Sequence, residues 1–348
     1  MDAPPDVNAN RHAVRWRWLA ALVVVAAVVF GALWIGRQDP ALQAGSPRST
    51  NSSSSSADRS YVVMAAGDIS CGSASRSNCR QRATADVVLA AHPDAVLLLG
   101  DDQYECGLLK DYQAFFDPTW GRFKSLIRPA PGNHEYTTSK HPDNACYNLP
   151  TGAPGYYTYF GKAASPLDSN CTVDCRGYYS YDLGNWHMVA LNSNCTRIGN
   201  CRAGDPQVVW LQQDLAAHPN QCILAYWHHP RFSSGEHGDQ LFMATIYETL
   251  YKAGADIVLA GHDHDYERFA PLDPSGNVDN PRGIRNFVVG TGGRNHYGLN
   301  QPQTGSQVRD SKTFGALRLT LSTGHYSWKF MPVAGSTFTD SGSGTCHN

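Results

Sequence analysis

Short runs of apolar residues recur along the chain from residue 61 onward, and most of them end in glycine, asparagine or histidine. Uninterrupted runs of Val, Ile and Leu are typical of strands that are covered on both faces of a sheet. These runs predict strands at residues 61–66, 95–99, 188–191, 223–227, 257–260 and 287–289. Segments with helical spacing lie between several of them, at 80–91, 207–217 and 240–253. This alternation of strands and helices indicates a layered α/β structure.

The last apolar segments of the chain follow a different pattern. Residues 317–321 and 326–331 alternate apolar and polar positions more regularly, which predicts an antiparallel hairpin. We therefore expect a mixed or two-sheet architecture for the folded region, residues 61–348. The chain has no G-x-x-x-x-G-K-S/T phosphate loop, which argues against a nucleoside-triphosphate switch.

A long apolar run near the amino terminus predicts a membrane segment. Residues 18–36 carry no charged side chain, and 19 residues at ~1.5 Å each span about 28 Å, close to the hydrocarbon thickness of a bilayer. Three arginines precede the run, so the positive-inside rule predicts a cytoplasmic N-terminus at 1–17, a transmembrane signal anchor at 18–36 and export of the rest. A cleaved signal peptide is the alternative, although its apolar stretch is usually only about 7–15 residues. Residues 37–60, rich in serine, are predicted to form a disordered linker.

Charge and cysteine content narrow the class of protein further. The chain has 348 residues and a formal net charge of −2, and its Lys and Arg are scattered, so no nucleic-acid-binding surface is evident. Several of the ten cysteines form close pairs in loop-like stretches: Cys71 and Cys79, Cys171 and Cys175, and Cys195 and Cys201. Together with the export signal, these pairs predict several disulfide bonds, whose connectivity the sequence leaves open. It leaves the oligomeric state open as well.

Residues with metal-binding side chains cluster where the predicted strands end. The clusters are Gly67-Asp68, Gly100-Asp101-Asp102-Gln103-Tyr104, Gly132-Asn133-His134-Glu135, His228-His229-Pro230 and Gly261-His262-Asp263-His264. Several are separated by about one strand–helix–strand unit of ~30 residues, so neighbouring strand ends can bring them together. Carboxylate, amide and imidazole donors suit Fe, Zn or Mn, and one bridging carboxylate can hold two ions about 3.5–4 Å apart.

The ordered motifs GD, GDxxY, GNHE, HxP and GHxH resemble those of the calcineurin-like metallophosphoesterase superfamily. Within it they are most similar to the purple acid phosphatase-like branch of bacterial secreted type. The resemblance extends from residue 61 to about residue 293. It implies an α/β fold, the four-layer metallophosphoesterase sandwich in which two mixed β-sheets are flanked by helices.

The resemblance also implies roles for individual residues. The implied ligands of the first metal ion are Asp68, Asp101, Tyr104 and His264, and those of the second are Asp101, Asn133, His228 and His262. Tyr104 replaces a histidine that most of the superfamily has in its first motif, which implies Fe(III) as the first ion, with Fe(II), Zn(II) or Mn(II) as the second. His134 is the implied catalytic histidine that protonates the leaving alcohol, and His237 is a second histidine of the pocket.

The function that the resemblance implies is that of an extracytoplasmic phosphatase, which hydrolyses small phosphate monoesters by attack of a metal-activated hydroxide. A phosphodiesterase or nucleotidase on the same metal centre is the alternative. A non-catalytic metal-binding domain is the rival from another class. We expect the protein to be membrane-anchored with its catalytic domain outside the cytoplasm, or secreted if residues 18–36 are cleaved.

Four further residues lie beside the implied ligands in these motifs. Asp102, His229 and Asp263 each flank a ligand position and are expected to face away from the metal ions. Glu135 follows His134 directly. Its carboxylate either orients His134 or accepts hydrogen bonds from the local backbone, and the sequence does not decide between these.

Overall fold

The computed structural model describes residues 59–72, 79–219 and 221–347. The predicted cytoplasmic segment 1–17, the anchor 18–36 and most of the linker 37–60 lie outside these residues. Among the described residues, no helix combines the length and apolar character that crossing a bilayer requires.

The described residues form two mixed β-sheets. The strands are β1 Tyr61–Ala66, β2 Ala95–Leu99, β3 Ile127–Ala130, β4 Tyr179–Leu183, β5 Trp186–Ala190, β6 Cys222–Tyr226, β7 Ile257–Ala260, β8 Tyr266–Leu272, β9 Ile284–Val289, β10 Ser306–Asp310, β11 Gly315–Ser322, β12 His325–Pro332 and β13 Ser341–Thr345. The first sheet has the order β13-β12-β11-β1-β2-β3, and the second has the order β10-β8-β9-β7-β6-β5-β4. In the first sheet β1, β2 and β3 are parallel, and in the second β5, β6, β7 and β9 are parallel.

Helices cover the outer faces of both sheets. The α-helices are α1 Gln81–Ala90, α2 Leu109–Asp111, α3 Pro154–Phe160, α4 Pro206–Ala217 and α5 Ala244–Lys252, of which α1 packs on the first sheet and α4 and α5 pack on the second. Shorter helical turns occur at Tyr112–Phe116, Trp120–Leu126, His134–Tyr136, Gly161–Ala163, Cys195–Arg197 and Leu241–Met243. Ala85 and Val88 of α1 are buried in the core of the first sheet, whereas Leu211 of α4 and Ile246 of α5 are buried in a separate core on the second. This helix–sheet–sheet–helix order confirms the predicted four-layer sandwich.

The apolar run of β6 shows why the central strands have no polar interruption. Cys222, Leu224 and Tyr226 belong to the core that the two sheets share, whereas Ile223 and Ala225 belong to the core beneath α4 and α5. Side chains alternate between the two faces of a strand, so a strand covered on both faces must be apolar at every position. The predicted central strands and the hairpin of β11 and β12 are confirmed.

Other elements were not predicted. The predictions for 61–348 did not include β3, β4, β8, β10 and β13, and β13 has the polar sequence SGSGT. These strands are held by backbone pairing at or near the edges of the sheets, which leaves little apolar signal. The predicted helix 240–253 divides into a turn at Leu241–Met243 followed by α5.

All ten cysteines form disulfide bonds. The pairs are Cys71–Cys79, Cys106–Cys146, Cys171–Cys175, Cys195–Cys201 and Cys222–Cys346. The last pair joins the start of β6 in the second sheet to the residue after β13 in the first. Five disulfides indicate that the domain folds in an oxidising compartment outside the cytoplasm.

Candidate metal centre

The clusters that end the parallel strands meet at one edge of the two sheets. Asp68 follows β1, Asp101 follows β2 and Asn133 follows β3 in the first sheet. His228 follows β6, and His262 follows β7 in the second sheet. Because the carboxyl ends of parallel strands lie at the same edge, the two sheets bring these side chains together.

Glycines in these clusters allow close approach of the backbone. A Cβ atom built on Gly100 would lie 2.7 Å from Nδ1 of His228, and one built on Gly261 would lie 2.7 Å from Oδ2 of Asp68. Four residues of these clusters have positive φ angles. Gly100 has a φ of 85°, and three residues that each follow a glycine have φ angles of 60° (Asp68), 50° (Asp101) and 73° (His262). Non-glycine residues seldom adopt this conformation, and when they do it is often at functional sites.

One group of donor atoms surrounds the hydroxyl of Tyr104. Its Oη lies 2.8 Å from Oδ1 of Asp68, 2.9 Å from Nε2 of His264 and 3.1 Å from Oδ2 of Asp101. Nε2 of His264 is also 3.3 Å from Oδ1 of Asp68. Four of the predicted site residues therefore present O and N atoms to one small, buried volume.

A second group surrounds the imidazole of His228. Its Nε2 lies 3.0 Å from Oδ1 of Asn133, 3.2 Å from Nδ1 of His262 and 3.3 Å from Oδ2 of Asp101. The same oxygen of Asp101 therefore faces both groups. A carboxylate in that position can bridge two ions.

The distances between the donor atoms within each group are those expected for ligands of one metal ion. Ligand atoms about 2.0–2.2 Å from one ion and at right angles to each other lie about 3 Å apart, as these atoms do. Asp68 and Asp101 are almost completely buried, and two buried carboxylates this close require a compensating positive charge.

The electrostatics of the protein alone show which groups supply that charge when no cation is bound. Burial acts to raise the pKa of Asp101, but the charges of His228 and His134 outweigh it and hold that pKa well below its usual range. Burial acts to lower the pKa of His228, but the charge of Asp101 outweighs burial and raises that pKa to about 9. Burial, with Asp101 and Asp68, raises the pKa of the Tyr104 phenol. A bound cation would displace these protons and take over their role.

Hydrogen bonds outside the two groups orient the histidines. Nδ1 of His228 lies 2.8 Å from the carbonyl oxygen of Leu99, and Nδ1 of His264 lies 2.5 Å from that of Asn295. An imidazole that donates its Nδ1 proton to a carbonyl presents Nε2 with a free lone pair. Both rings therefore present the nitrogen that a metal ion would take.

Glu135 holds two of the ligand-bearing loops together. Its carboxylate accepts hydrogen bonds from the backbone N–H groups of Asp101 at 3.1 Å, Asp102 at 3.0 Å and Gly132 at 2.7 Å. The hydroxyl of Tyr112 donates to it as well, at 3.0 Å. Of the two roles that the sequence left open for Glu135, the contacts are those of a backbone cap.

The two predicted catalytic histidines lie at the open side of the centre. Nδ1 of His134 is 2.6 Å from the carbonyl oxygen of Glu105, and its Nε2 is 3.9 Å from Oδ2 of Asp101. Nδ1 of His237 is 2.9 Å from Oδ1 of Asp263, and its ring centre is 4.3 Å from that of His262. Their side chains are 25% and 39% exposed, so both are accessible to a ligand.

Asp102 and Asp263 lie outside the two donor groups, as predicted, but the prediction for His229 was wrong, because its ring offers a nitrogen within 4.8 Å of those of His228 and His262. The carboxylate oxygens of Asp102 have no hydrogen-bond partner among the described residues and belong to neither donor group. Burial and the charges of Glu135 and Asp101 raise its pKa. Nδ1 of His229 lies 2.8 Å from Oγ of Ser193. The contact of His229 with Ser193 and the contact of Asp263 with His237 orient the surrounding loops.

The loop after β9 contributes two residues that the sequence reasoning missed. The guanidinium of Arg294 lies 4.8 Å above the Tyr104 ring and bonds Oε1 of Glu105 at 2.8 Å. The ring of Tyr297 stacks on His264 at 3.8 Å. The signal available was the glycine-rich stretch 290–293, which follows a predicted strand at the same edge as the other clusters.

Comparison with known proteins identifies the class. Residues 61–266 match the family described as calcineurin-like phosphoesterase, and the chain belongs to that family. It is 30% identical to purple acid phosphatase 21 of Arabidopsis thaliana over 271 residues, which cover 70% of this chain and 55% of that protein. It is 29% identical to the uncharacterized protein Rv2577 of Mycobacterium tuberculosis over 195 residues, which cover 47% of this chain and 35% of that protein. The chain thus spans about half the length, or less, of these curated relatives.

Two solved structures show the same fold. Purple acid phosphatase PPD1 from yellow lupin (Lupinus luteus) seeds superposes with a TM-score of 0.61 and 18% identity, over 82% of this chain and 53% of that one. GAP50, described as the anchor in the inner membrane complex of Plasmodium, superposes with a TM-score of 0.56 and 13% identity, over 81% and 88% of the two chains. The chain is therefore a metallophosphoesterase related to purple acid phosphatases.

Proposed function

We propose that this chain hydrolyses phosphate monoesters with two metal ions bound at the candidate centre. The observation that carries the proposal is the single carboxylate oxygen of Asp101 that faces both donor groups. Two ions that share a carboxylate can stabilise the attacking and the leaving oxygen of one phosphoryl group. A site built for one ion does not need this arrangement.

The two donor groups correspond to the ligand sets implied by the sequence. The first ion would be held by Asp68, Asp101, Tyr104 and His264, and the second by Asp101, Asn133, His228 and His262. A phenolate from Tyr104 favours Fe(III) in the first position. The second set, with two imidazoles and an amide, suits Fe(II), Zn(II) or Mn(II).

The reaction would divide between the ions and the histidines at the open side. When bound, the ions supply Lewis acidity that lowers the pKa of water and offsets charge on the phosphoryl oxygens. Nδ1 of His134 is held by the carbonyl oxygen of Glu105, which leaves Nε2 facing the centre, and as an imidazolium His134 would pass its Nε2 proton to the leaving alcohol. The hydrogen bond from Nδ1 of His237 to Asp263 raises the pKa of that imidazole, and as an imidazolium His237 would donate from Nε2 to a phosphoryl oxygen.

The space beside the centre favours one alternative. A cleft of about 780 Å³ opens next to Asn133, which leaves room for a second ester substituent. A phosphodiesterase or nucleotidase on the same centre would use it. The ratio of kcat/KM for p-nitrophenyl phosphate to that for bis(p-nitrophenyl) phosphate separates the two activities, and a larger value for the diester would favour the alternative.

The proposal places the catalytic domain outside the cytoplasm, attached to the membrane by residues 18–36, or secreted if that segment is cleaved. The five disulfides support an oxidising location. Membership of a bacterial secreted branch and a small phosphate ester as substrate are further parts of the proposal.

A pair of neighbouring carboxylates provides the test. Asp101→Asn should lower kcat/KM for p-nitrophenyl phosphate by about 100-fold or more and reduce the metal content below two ions per chain, because the shared charge is lost. Asp102→Asn is the matched control: Asp102 is buried next to Asp101 but belongs to neither donor group, so metal content should stay at two. Wild-type protein that binds two ions and hydrolyses no phosphate ester would overturn the proposal in favour of a metal-binding domain.

A further inference from the structure

The cleft beside the candidate metal centre is built from three parts of the chain. It is lined by Asn133 and the residues that follow it, by the loop closed by the Cys195–Cys201 disulfide, and by the turn Leu241–Met243. Asn133 offers its Oδ1 to the second donor group, and His229, also in the lining, lies with its ring 4.5 Å from that of His262. A phosphoryl group at the centre would therefore have its ester substituent directed toward this cleft.

The disulfide-closed loop is attached to the ligand-bearing loop. The side-chain amide of Asn194 donates to the carbonyl oxygens of Pro131 and Gly132, at 3.2 Å each. The backbone N–H of Arg197 donates to the carbonyl oxygen of Asn194 at 2.8 Å. Arg197 is thus carried on a segment whose position is set relative to the metal centre.

The charge of the cleft has one sign. Arg197 and Arg202 both line it, and none of the described residues in its lining is acidic. No described carboxylate forms an ion pair with either guanidinium, and Asp205 accepts only the backbone N–H of Arg202, at 2.7 Å. Two unpaired guanidinium groups in one cleft are suited to an anionic group of a ligand.

Two large apolar side chains also line the cleft. Leu241 is 70% exposed and Phe242 is 45% exposed, and both line the cleft. The ring of Phe242 packs edge-on against that of His229 at 5.5 Å. Large apolar side chains exposed at the rim of a polar site are typical of surfaces that contact an organic ligand.

We propose that this cleft binds the alcohol portion of the substrate, an organic group with an apolar face and a second anionic group that Arg197 and Arg202 recognise. The inference rests on the proposed phosphatase activity, whose substrate class it specifies. The candidate centre holds the phosphoryl group that is removed. The two arginines select esters whose other end carries a carboxylate or a second phosphate.

Two esters of similar shape provide the test: 4-carboxyphenyl phosphate and its neutral analogue 4-carbamoylphenyl phosphate. The ratio of kcat/KM for the acid to that for the amide should be about tenfold larger in the wild type than in Arg197→Gln/Arg202→Gln, the size expected for one charge-assisted hydrogen bond. Comparing ratios between proteins cancels the different reactivity of the two leaving groups. Arg82→Gln, at an exposed arginine on α1 outside this cleft, should keep the wild-type ratio.

A binding measurement separates this inference from the proposed function. Calorimetry with 4-carboxybenzylphosphonate and 4-carbamoylbenzylphosphonate requires no hydrolysis, and the acid should bind more tightly to the wild type but not to the double variant. Phe242→Ala should weaken both phosphonates about fivefold, as expected for the loss of one aromatic contact. Active protein with equal ratios and equal dissociation constants in wild type and double variant would overturn the cleft assignment alone. Arginine-dependent binding without hydrolysis of any ester would support the cleft assignment and overturn the proposed phosphatase activity.

Discussion

At the scale of single residues, two neighbouring carboxylates are buried for different purposes. Oδ1 of Asp101 accepts the backbone N–H of His134 at 2.8 Å, whereas its Oδ2 faces the two donor groups, which carry no positive charge unless a proton or a cation is bound. The oxygens of Glu135 face backbone N–H groups and the hydroxyl of Tyr112. A buried charge is tolerated only where such partners exist, so Glu135 maintains the loop and Asp101 is available for metal ions.

Tyr104 allows the identity of the first ion to be tested by colour. If its phenolate binds Fe(III), charge transfer from ligand to metal should produce a visible absorption band in iron-loaded protein. Tyr104→Phe should abolish the band and lower kcat/KM only in part, because Asp101 and the second donor group remain. Absorption spectroscopy and metal analysis of both proteins provide the measurement.

The control for this prediction is a tyrosine that touches no ligand. Tyr156 is completely buried, and its hydroxyl has no hydrogen-bond partner among the described residues. Tyr156→Phe should keep the band. A colourless iron-loaded wild type, with unchanged metal content and rate in Tyr104→Phe, would mean that Tyr104 packs beside the centre without binding metal.

At the scale of elements, a buried histidine that is not a candidate metal ligand links strands β4 and β5 to helix α4. His187 lies on β5. Its Nδ1 is 2.9 Å from Oδ1 of Asp182 on β4, and its Nε2 is 2.8 Å from Oδ2 of Asp214 on α4. Its ring also stacks on His218 at 3.9 Å. Only the imidazolium can donate from both nitrogens, so this contact depends on protonation.

Stability should therefore depend on pH through His187. Burial acts to lower its pKa, but the hydrogen bonds to Asp214 and Asp182 outweigh burial and raise it. A raised pKa in the folded state contributes stability that is fully present below the unfolded value of about 6.5 and is lost as pH rises through the folded value. His187→Asn should therefore be about 1–3 kcal/mol less stable than wild type near pH 6, with the difference shrinking at higher pH. Urea unfolding at several pH values measures this.

An exposed histidine provides the comparison. His325 lies at the start of β12, and its side chain is exposed. His325→Asn should leave the pH profile of stability unchanged. A difference between wild type and His187→Asn that does not vary with pH would show that His187 contributes packing alone.

At the scale of the whole described domain, contacts between distant segments join the two sheets. The indole N–H of Trp186 on β5 donates to the carbonyl oxygen of Ser322 on β11 at 2.9 Å. The Cys222–Cys346 disulfide connects the same two sheets across a separation of 124 residues. The interface between the sheets also carries the metal centre at its edge, so their alignment determines its geometry.

Removing this long-range disulfide should cost more stability than removing a local one. In the chain-entropy model, a bond that closes 124 residues contributes about 5 kcal/mol, and one that closes 4 residues contributes about 2 kcal/mol. Cys222→Ala/Cys346→Ala should therefore unfold at a clearly lower urea concentration than Cys171→Ala/Cys175→Ala. Equal midpoints for the two variants would contradict a role of the long-range bond in holding the sheets together.

The predicted anchor can be tested on the full chain. All seven candidate ligands lie after residue 60, so residues 61–348 produced in an oxidising compartment should be soluble and active. The full chain should sediment with membranes. If expression of the full sequence yields a soluble protein whose first residue lies after 36, the segment is a cleaved signal peptide.

Local patterns in the sequence determined the central strands, the family and the positions of the candidate ligands. The run of β2 is apolar at every position because both of its faces are covered, and the residues that follow it begin with Gly100 and Asp101. Such signals extend over only a few neighbouring positions and can be recognised without the fold.

Other features were decided only by the tertiary structure. The backbone cap made by Glu135, the contact of Arg294 with Glu105 across 189 residues and the partner of Cys222 all join segments that are distant in the sequence. Edge strands such as β13 depend on a neighbouring strand for their hydrogen bonds, and their own sequence carries little apolar signal. The energy of these contacts arises when the two sheets pack together, which is why no local pattern along the chain could reveal them.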